Sequence, residues 1–414
     1  MHEVGTRKAD AGQVRRHRPD YWLIAIALFL VVIGLTVVYA ISPALSATVG
    51  GGSGIHYASR QLLEVGLSAV AFLVTARIPL KVWQKWQMPL LVLGVIGTLI
   101  ALVTPVIPEY PAHRWIRLGG MSLQSVEVVK FGLLFYLSSF FAARYQQGTL
   151  GNSKRTLYPL LALIGIVGVV IAGVQSDFGS TVVIISMMVA MAFLTGMPVK
   201  KALPFVAVLI IGAVLLIAST PYRRERLATF LHPETNCLTT GYQACQALIA
   251  VGSGGIAGLG LGRSVQAYGY LPEAQDDSIF AIYAEKFGFI GVMVLLGLFV
   301  TLFARLRTIM ERAPDMFAQL IVAGVLAWLS TQMIINVGAM IGLLPVKGIT
   351  LPFVSYGGTS VLFVGAALGL VFQISHYTSF TTRNVKRSER SSDADSGDGR
   401  RVRRAYHSGL SGRA

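Results

Sequence analysis

Charge is scarce in this chain. Asp, Glu, Lys and Arg make up 13% of it, about half of the ~25% found in soluble domains, which excludes an ordinary water-soluble globule. Cysteine is nearly absent: Cys237 and Cys245 are the only two and lack metal-type spacing, so zinc modules and disulfide scaffolds are excluded. The seven histidines are scattered, and no His-Glu-x-x-His occurs among them, which removes the zincin type of metalloprotease. A dinucleotide fingerprint is missing too, because the glycine run from Gly252 to Gly262 has the wrong spacing and no strand before it. Nor do the apolar segments alternate in polarity, as the strands of an outer-membrane barrel must.

What is present is a series of apolar runs of about twenty residues, each able to cross a hydrocarbon core of about 30 Å; mean hydropathy is +0.64. The fold class read from them is an all-α polytopic membrane protein with about ten transmembrane helices. They fall near 21–42, 60–78, 86–107, 123–143, 157–174, 179–196, 202–219, 278–304, 317–343 and 359–377. Residues 1–20 are polar and basic, and the apolar run behind them is too long for an ordinary signal peptide, so it reads as an uncleaved first span. Basic residues recur at alternate turns: Arg77 with Lys81 and Lys85, Arg144 with Lys154 and Arg155, Lys200 with Lys201, and Arg305 with Arg307 and Arg312. The positive-inside rule then places both termini in the cytoplasm and the largest loop, 220–277 between spans seven and eight, outside. It also accounts for the net charge of +16 without any nucleic acid. Three regions follow: a basic cytoplasmic tail over 1–20, a membrane domain over 21–377, and a charged tail over 378–414 that has no apolar period and is expected to be disordered.

Ionisable side chains within a membrane domain are costly and mark function. On this register they gather outside. Arg114, Arg117, Glu127 and Lys130 open span four, Asp177 lies at the tip between spans five and six, Arg223 with Arg224 and Arg226 opens the large loop, Asp277 closes it, and Lys347 is in the last outer loop. Each has two readings. Glu127 and Lys130 share a helix face, as a local ion pair or as a lid on a phosphate or sugar site. The arginines are interface anchors or forks for pyrophosphate. Asp276 and Asp277 stand at the first turn of span eight, as an N-cap or as a reactive carboxylate where water meets lipid. Glu64, inside span two, reads as a packed or snorkelling residue. The glycine run is a flexible loop or a place of close backbone approach, and Pro345, Pro352 and Tyr356-Gly357-Gly358 mark irregular backbone. Cys237 and Cys245 share the outer loop, where a disulfide is open to them.

Several short motifs occur in one order. They are Arg60-Gln61; Arg114-Trp115-Ile116-Arg117-Leu118-Gly119 with Glu127-x-x-Lys130; Gln175-x-Asp177-x-Gly179; and Gly241-Tyr242-Gln243 leading into the glycine run. Leu271-Pro272-Glu273-Ala274 follows, then Gly342-Leu343-Leu344-Pro345 and Leu351-Pro352-Phe353-x-Ser355-Tyr356-Gly357-Gly358. Together they resemble the SEDS family of bacterial cell-wall polymerases, typified by FtsW and RodA, from Asp20 to about Thr378. The wording from Tyr270 to Ala274 leans toward the division-type members.

The resemblance implies a glycosyltransferase that polymerises lipid II, the undecaprenyl-pyrophosphate-linked disaccharide-peptide, on the outer face of the cytoplasmic membrane. It implies a class B penicillin-binding transpeptidase as partner, with other membrane proteins of the division or elongation machinery. It aligns the family's essential acid with Asp277, and its cavity acids and base with Glu127, Lys130 and Asp177. A divalent cation, magnesium or manganese, is left open, and no organic cofactor is expected. Two departures are visible: Gln275-Asp276 where the family has His-Thr or His-Ser, and Ser125-Val126-Glu127 where it has Pro-Ser-Glu. The expected chemistry has Asp277 as general base, with Lys130 and outer arginines facing the leaving pyrophosphate, and Lys347 is a further candidate lining the cavity. A flippase for the same lipid and a non-catalytic scaffold that activates a penicillin-binding protein are the other two readings. A transporter needs its site near the membrane midplane, and clustering at the outer rim argues for chemistry instead.

Overall fold

The computed structural model describes residues 14–49, 54–104, 114–118, 121–198, 207, 211–212, 214, 218, 221–231 and 237–379. Apolar stretches that cannot leave backbone groups unpaired in lipid fold as helices. They are α1 (Tyr21–Val49), α2 (His56–Arg77), α3 (Leu80–Val103), α4 (Ser125–Gln146), α5 (Ser153–Val174) and α6 (Phe178–Leu194). The large loop carries α7 (Pro221–Leu231) and α8 (Tyr242–Ser253); the chain then continues with α9 (Ile279–Arg312), α10 (Met316–Met340) and α11 (Gly358–Ile374). Seven of these are long and apolar enough to cross a membrane, and α6 and α11 are shorter apolar helices. The expected span at 202–219 lies mostly outside the described residues, as do the C-terminal tail beyond Ser379 and residues 1–13.

Several helix boundaries differ from expectation, and α9 continues to Arg312, carrying Arg305 and Arg307 that were expected in a loop. Helix α1 runs through Pro43 to Val49, because a proline within a packed membrane helix forfeits one hydrogen bond that its neighbours can make good. Helix α3 begins at Leu80, directly after Pro79. Lys81 and Lys85, both exposed, therefore ride on its first turns instead of forming a loop.

Helices α4 and α10 form the buried centre, while α2, α3, α5 and α9 turn rows of Leu, Val and Ile outward. Helix α2 runs alongside α11 and is fastened by hydroxyl groups: Ser68 Oγ donates to the Val361 carbonyl and Thr75 Oγ1 to that of Ala366, each at 2.8 Å. Both described ends of the chain share one face. Strand β1 (Val14–Arg16) pairs antiparallel with β4 (Tyr377–Ser379), Asp20 N donates to Ser375 Oγ at 3.1 Å, and Arg305 approaches Asp20 at 3.7 Å. The opposite face carries the hairpin of β2 (Trp115–Leu118) and β3 (Met121–Gln124), together with the loops leading into α6, α9 and α11.

Helix α9 is interrupted at Gly288, which adopts φ 63°, ψ −165°. The glycine run fills the break. Leu259 N and Gly260 N donate to the carbonyls of Glu285 and Lys286 at 2.9 and 3.0 Å, and Phe289 N and Ile290 N donate back to Gly255 and Ile256 at 2.9 and 3.1 Å. A side chain has no room in this joint: a Cβ on Gly258 would lie 2.2 Å from the Lys286 oxygen, and one on Gly288 would lie 2.3 Å from Gly258 N. Close backbone approach is thus the purpose of the run. The buried Glu285 carboxylate anchors the following segment by accepting from Val265 N at 2.9 Å, Gln266 N at 3.3 Å and the Ser264 hydroxyl.

Candidate functional site

Three loops converge on the face opposite the termini: the turn 175–177 between α5 and α6, the segment 271–278 ahead of α9, and the segment 341–357 between α10 and α11. Each holds a non-glycine residue at positive φ, Ser176 (55°), Glu273 (49°) and Phe353 (67°). Such backbone costs about 1–3 kcal/mol per residue and persists only where the surroundings over-determine it. The loops are also stitched together: Tyr356 N donates to the Gln275 carbonyl at 2.9 Å and Ser355 Oγ to that of Asp276 at 2.6 Å.

Asp277 is 7% exposed. It does not cap α9, whose N-cap is Ser278 and which has no side-chain capping bond. Instead its Oδ1 accepts from Gln243 Nε2 at 3.4 Å. Its Oδ2 borders the exposed Gly348: a Cβ placed there would lie 3.9 Å from that oxygen and 3.6 Å from Nη1 of Arg114. Gln243 sits on α8, whose N-terminal approach is closed by the Cys237–Cys245 disulfide, with Cα atoms 5.6 Å apart.

The capping role falls on Asp177. Its Oδ1 accepts from Ser180 N at 3.0 Å, and its Oδ2 from Ser180 Oγ at 2.9 Å and Gln124 Nε2 at 3.2 Å. Arg114 straps the same turn by donating to the carbonyls of Gln175 (3.1 Å) and Ser176, so it is no lipid anchor. Lys347 lies over the Phe178 ring at 4.9 Å. Asp277, Arg114, Asp177 and Lys347 are therefore brought together around one lip.

Glu127 and Lys130 lie a layer deeper. Their contact is 2.7 Å, Lys130 is 0% exposed, and its ammonium sits 4.9 Å from the Trp328 ring centre. Both belong to the local ion-pair arrangement, joined to the 175–177 turn through Gln175 Nε2 and Ser125 Oγ at 3.3 Å. Glu64 is buried against Gly358 with Arg60 at 4.0 Å, a packed residue. The side chains of Arg117, Arg223 and Arg226 lie outside the described residues. Among the described residues no three His, Cys, Asp or Glu side chains converge as a metal-ligand set.

Asp276 differs from its neighbour. Burial, and then the negative charges of Glu273, Asp277 and Glu64, push its carboxyl well above the usual carboxylate range. The folded chain thus holds a proton there that the unfolded chain releases near pH 4. The stability tied to this proton is present at acid pH and is lost as pH rises toward the raised value. Asp276→Asn should remove the loss. Its unfolding midpoint in detergent, relative to the parent, should climb steadily from pH 4 to pH 8; an unchanged difference across that range would contradict the assignment.

Sequence reasoning named Gln243 and Ser355 only as members of motifs, with no role, and missed Asn336 and Gln124. Asn336 and Gln332 did leave a signal, as amides on an otherwise apolar span. Gln243 stood out only within Gly241-Tyr242-Gln243, and its pairing with Asp277, 34 residues away, left no signal.

Residues 21–380 match the FtsW/RodA/SpoVE family, described as cell cycle protein. The chain is 40% identical over 366 residues to the probable peptidoglycan glycosyltransferase FtsW of Coxiella burnetii, covering 87% of this chain and 96% of that protein. It is 33% identical over 367 residues to the stage V sporulation protein E of Bacillus subtilis, covering 88% and 99%. Its fold is similar to a chain in a structure described as "Structural coordination of polymerization and crosslinking by a peptidoglycan synthase complex" (TM-score 0.67, 24% identity, 86% and 97% covered). It is also similar to the rod shape determining protein RodA of Thermus thermophilus (TM-score 0.62, 23% identity, 86% and 96% covered).

Proposed function

The chain belongs to the FtsW/RodA/SpoVE family, and from that membership we propose that it is a peptidoglycan glycosyltransferase that polymerises lipid II on the outer face of the cytoplasmic membrane. The observation that carries the reading is Asp277: a carboxylate free of any capping duty, held by Gln243 through one oxygen and bordering an exposed lip beside Arg114 with the other. Relatives named as probable peptidoglycan glycosyltransferases support the reaction type.

In the reaction, Asp277 takes the proton of the sugar 4-hydroxyl of one lipid II as that oxygen attacks the anomeric carbon of the growing chain. The bond from that carbon to the pyrophosphate breaks, and undecaprenyl pyrophosphate leaves with the electron pair. Arg114 and Lys347, at the lip, face the charge that develops on the leaving group. Asp177 keeps α6 and the Arg114 strap in place. Lys130 is spent on Glu127 and acts from below through the turn that both support. The termini share the face opposite the site, which suits a substrate whose sugars lie outside while its tail remains in lipid. A class B penicillin-binding transpeptidase is the proposed partner, and likeness to a chain of a peptidoglycan synthase complex supports it.

The test is polymerisation of lipid II by the purified protein with that partner made transpeptidase-inactive, read as glycan strands on a gel. Polymer is expected. Translocation of labelled lipid II by the protein in liposomes, with no polymer formed, would reverse the reading in favour of a flippase.

A further inference from the structure

Helix α10 is mostly buried, yet it carries two amides, Gln332 (3% exposed) and Asn336 (1% exposed). Trp328, Gln332 and Asn336 follow at four-residue intervals and so share one face. At one end of that face, Trp328 lies beneath Lys130. At the other end, Asn336 Nδ2 donates to two carbonyl oxygens, those of Asp277 and Ile349, both at 2.7 Å. One belongs to the segment ahead of α9 and the other to the segment between α10 and α11. Both hydrogens of the amide are used. Its Oδ1 is buried without a hydrogen-bond partner, so the donors alone determine how the group is set.

The Asp277 carbonyl precedes the first helical hydrogen bond of α9, which runs from Ala281 N to the Ser278 carbonyl. Asn336 supplies a donor to it in a buried place, where a polar group without a partner is costly. The peptide plane that Asn336 holds starts at the Asp277 Cα, the atom from which the carboxylate side chain leaves. The second carbonyl, Ile349, directly follows Gly348, the lip that Asp277 Oδ2 faces. A single amide therefore sets the distance between the carboxylate and the edge where substrate must enter. We infer that Asn336 is a positioning residue for Asp277, an inference that rests on Asp277 being the base.

The test uses Asn336→Asp and Asn336→Leu in the same polymerisation assay, with kcat and KM determined from pH 5.5 to pH 8. An ionised carboxylate repels both carbonyls, whereas a protonated one donates to one of them. Asn336→Asp should lose about 10–10²-fold in kcat at pH 8, with KM for lipid II within about twofold of the parent. The deficit relative to the parent should shrink several-fold toward pH 5.5. Asn336→Leu should lose as much, with no recovery in acid. Should Asn336→Leu fail to fold, the isosteric Asp variant decides by its pH profile alone. A variant kcat above half the parental value at pH 8, or a loss in Asn336→Asp that is the same at every pH, overturns the inference. An active Asp277→Asn enzyme would instead overturn the reading beneath it, so the two failures are told apart.

Discussion

The Asp277→Asn protein, assayed with its transpeptidase partner, is expected to polymerise lipid II about 10²–10⁴ times more slowly than the parent, the usual worth of a positioned general base. Asparagine has the same shape and keeps an oxygen for Gln243 to bond, but it cannot take a proton. Folding should hardly change, because Asp277 makes no capping bond to α9 and its backbone carbonyl still receives the Asn336 amide. A loss of rate without a loss of stability is what separates a reactive carboxylate from a helix cap. The adjacent acid serves as the internal control: Asp276→Asn alters the pH dependence of stability and should stay within about tenfold of the parental rate, a bound well inside the effect of losing a base. If Asp277→Asn matched the parent, the base would have to be sought elsewhere. If Asp276→Asn were the silent variant, the roles of the two neighbours would be exchanged.

The second large effect concerns the ion pair in the core. Lys130→Met strands the Glu127 carboxylate, and Glu127→Leu strands an ammonium with only the Trp328 ring beside it. Each single change should cost about 3–5 kcal/mol of stability, since a buried charge is left without its partner. The double variant Glu127→Leu/Lys130→Met should regain most of that loss, because apolar side chains of similar volume replace buried pairs at little cost. Its activity then becomes informative. A pair that the packing does not need, and that is joined to the 175–177 turn through Ser125 and Gln175, is expected to serve the site. The double variant should therefore fold and yet polymerise at least about tenfold more slowly, as a small displacement of the reacting groups would cause. Parental activity in a well-folded double variant would reduce the pair to packing. Thermal unfolding in detergent and glycan-strand assays on the same preparations give both answers.

Much of the architecture was legible before any coordinates. The nine described apolar helices lie where runs of about twenty residues predicted them, because transfer into lipid is a sum over neighbouring side chains and needs no partner. Their ends moved where proline and lysine behave differently in a packed helix than in a loop, at Pro43 and at Lys81 and Lys85. The acid at the junction ahead of α9 was visible for the same local reason: charge standing where hydrocarbon begins.

By itself, then, the order of residues determined the membrane class, the span pattern, the family and the short list of ionisable groups. Only the tertiary structure decided how that list divides. It gave the helix cap to Asp177 and none to Asp277, whose carboxylate meets Gln243 instead, turned Lys130 inward onto Glu127 and Trp328, and seated the glycine run in the break at Gly288. It also brought Gln243 and Asn336 to the same aspartate from 34 and 59 residues away. The reason is physical: burial is read one residue at a time along the chain, whereas a hydrogen bond exists only between atoms that folding has carried to within about 3 Å of each other.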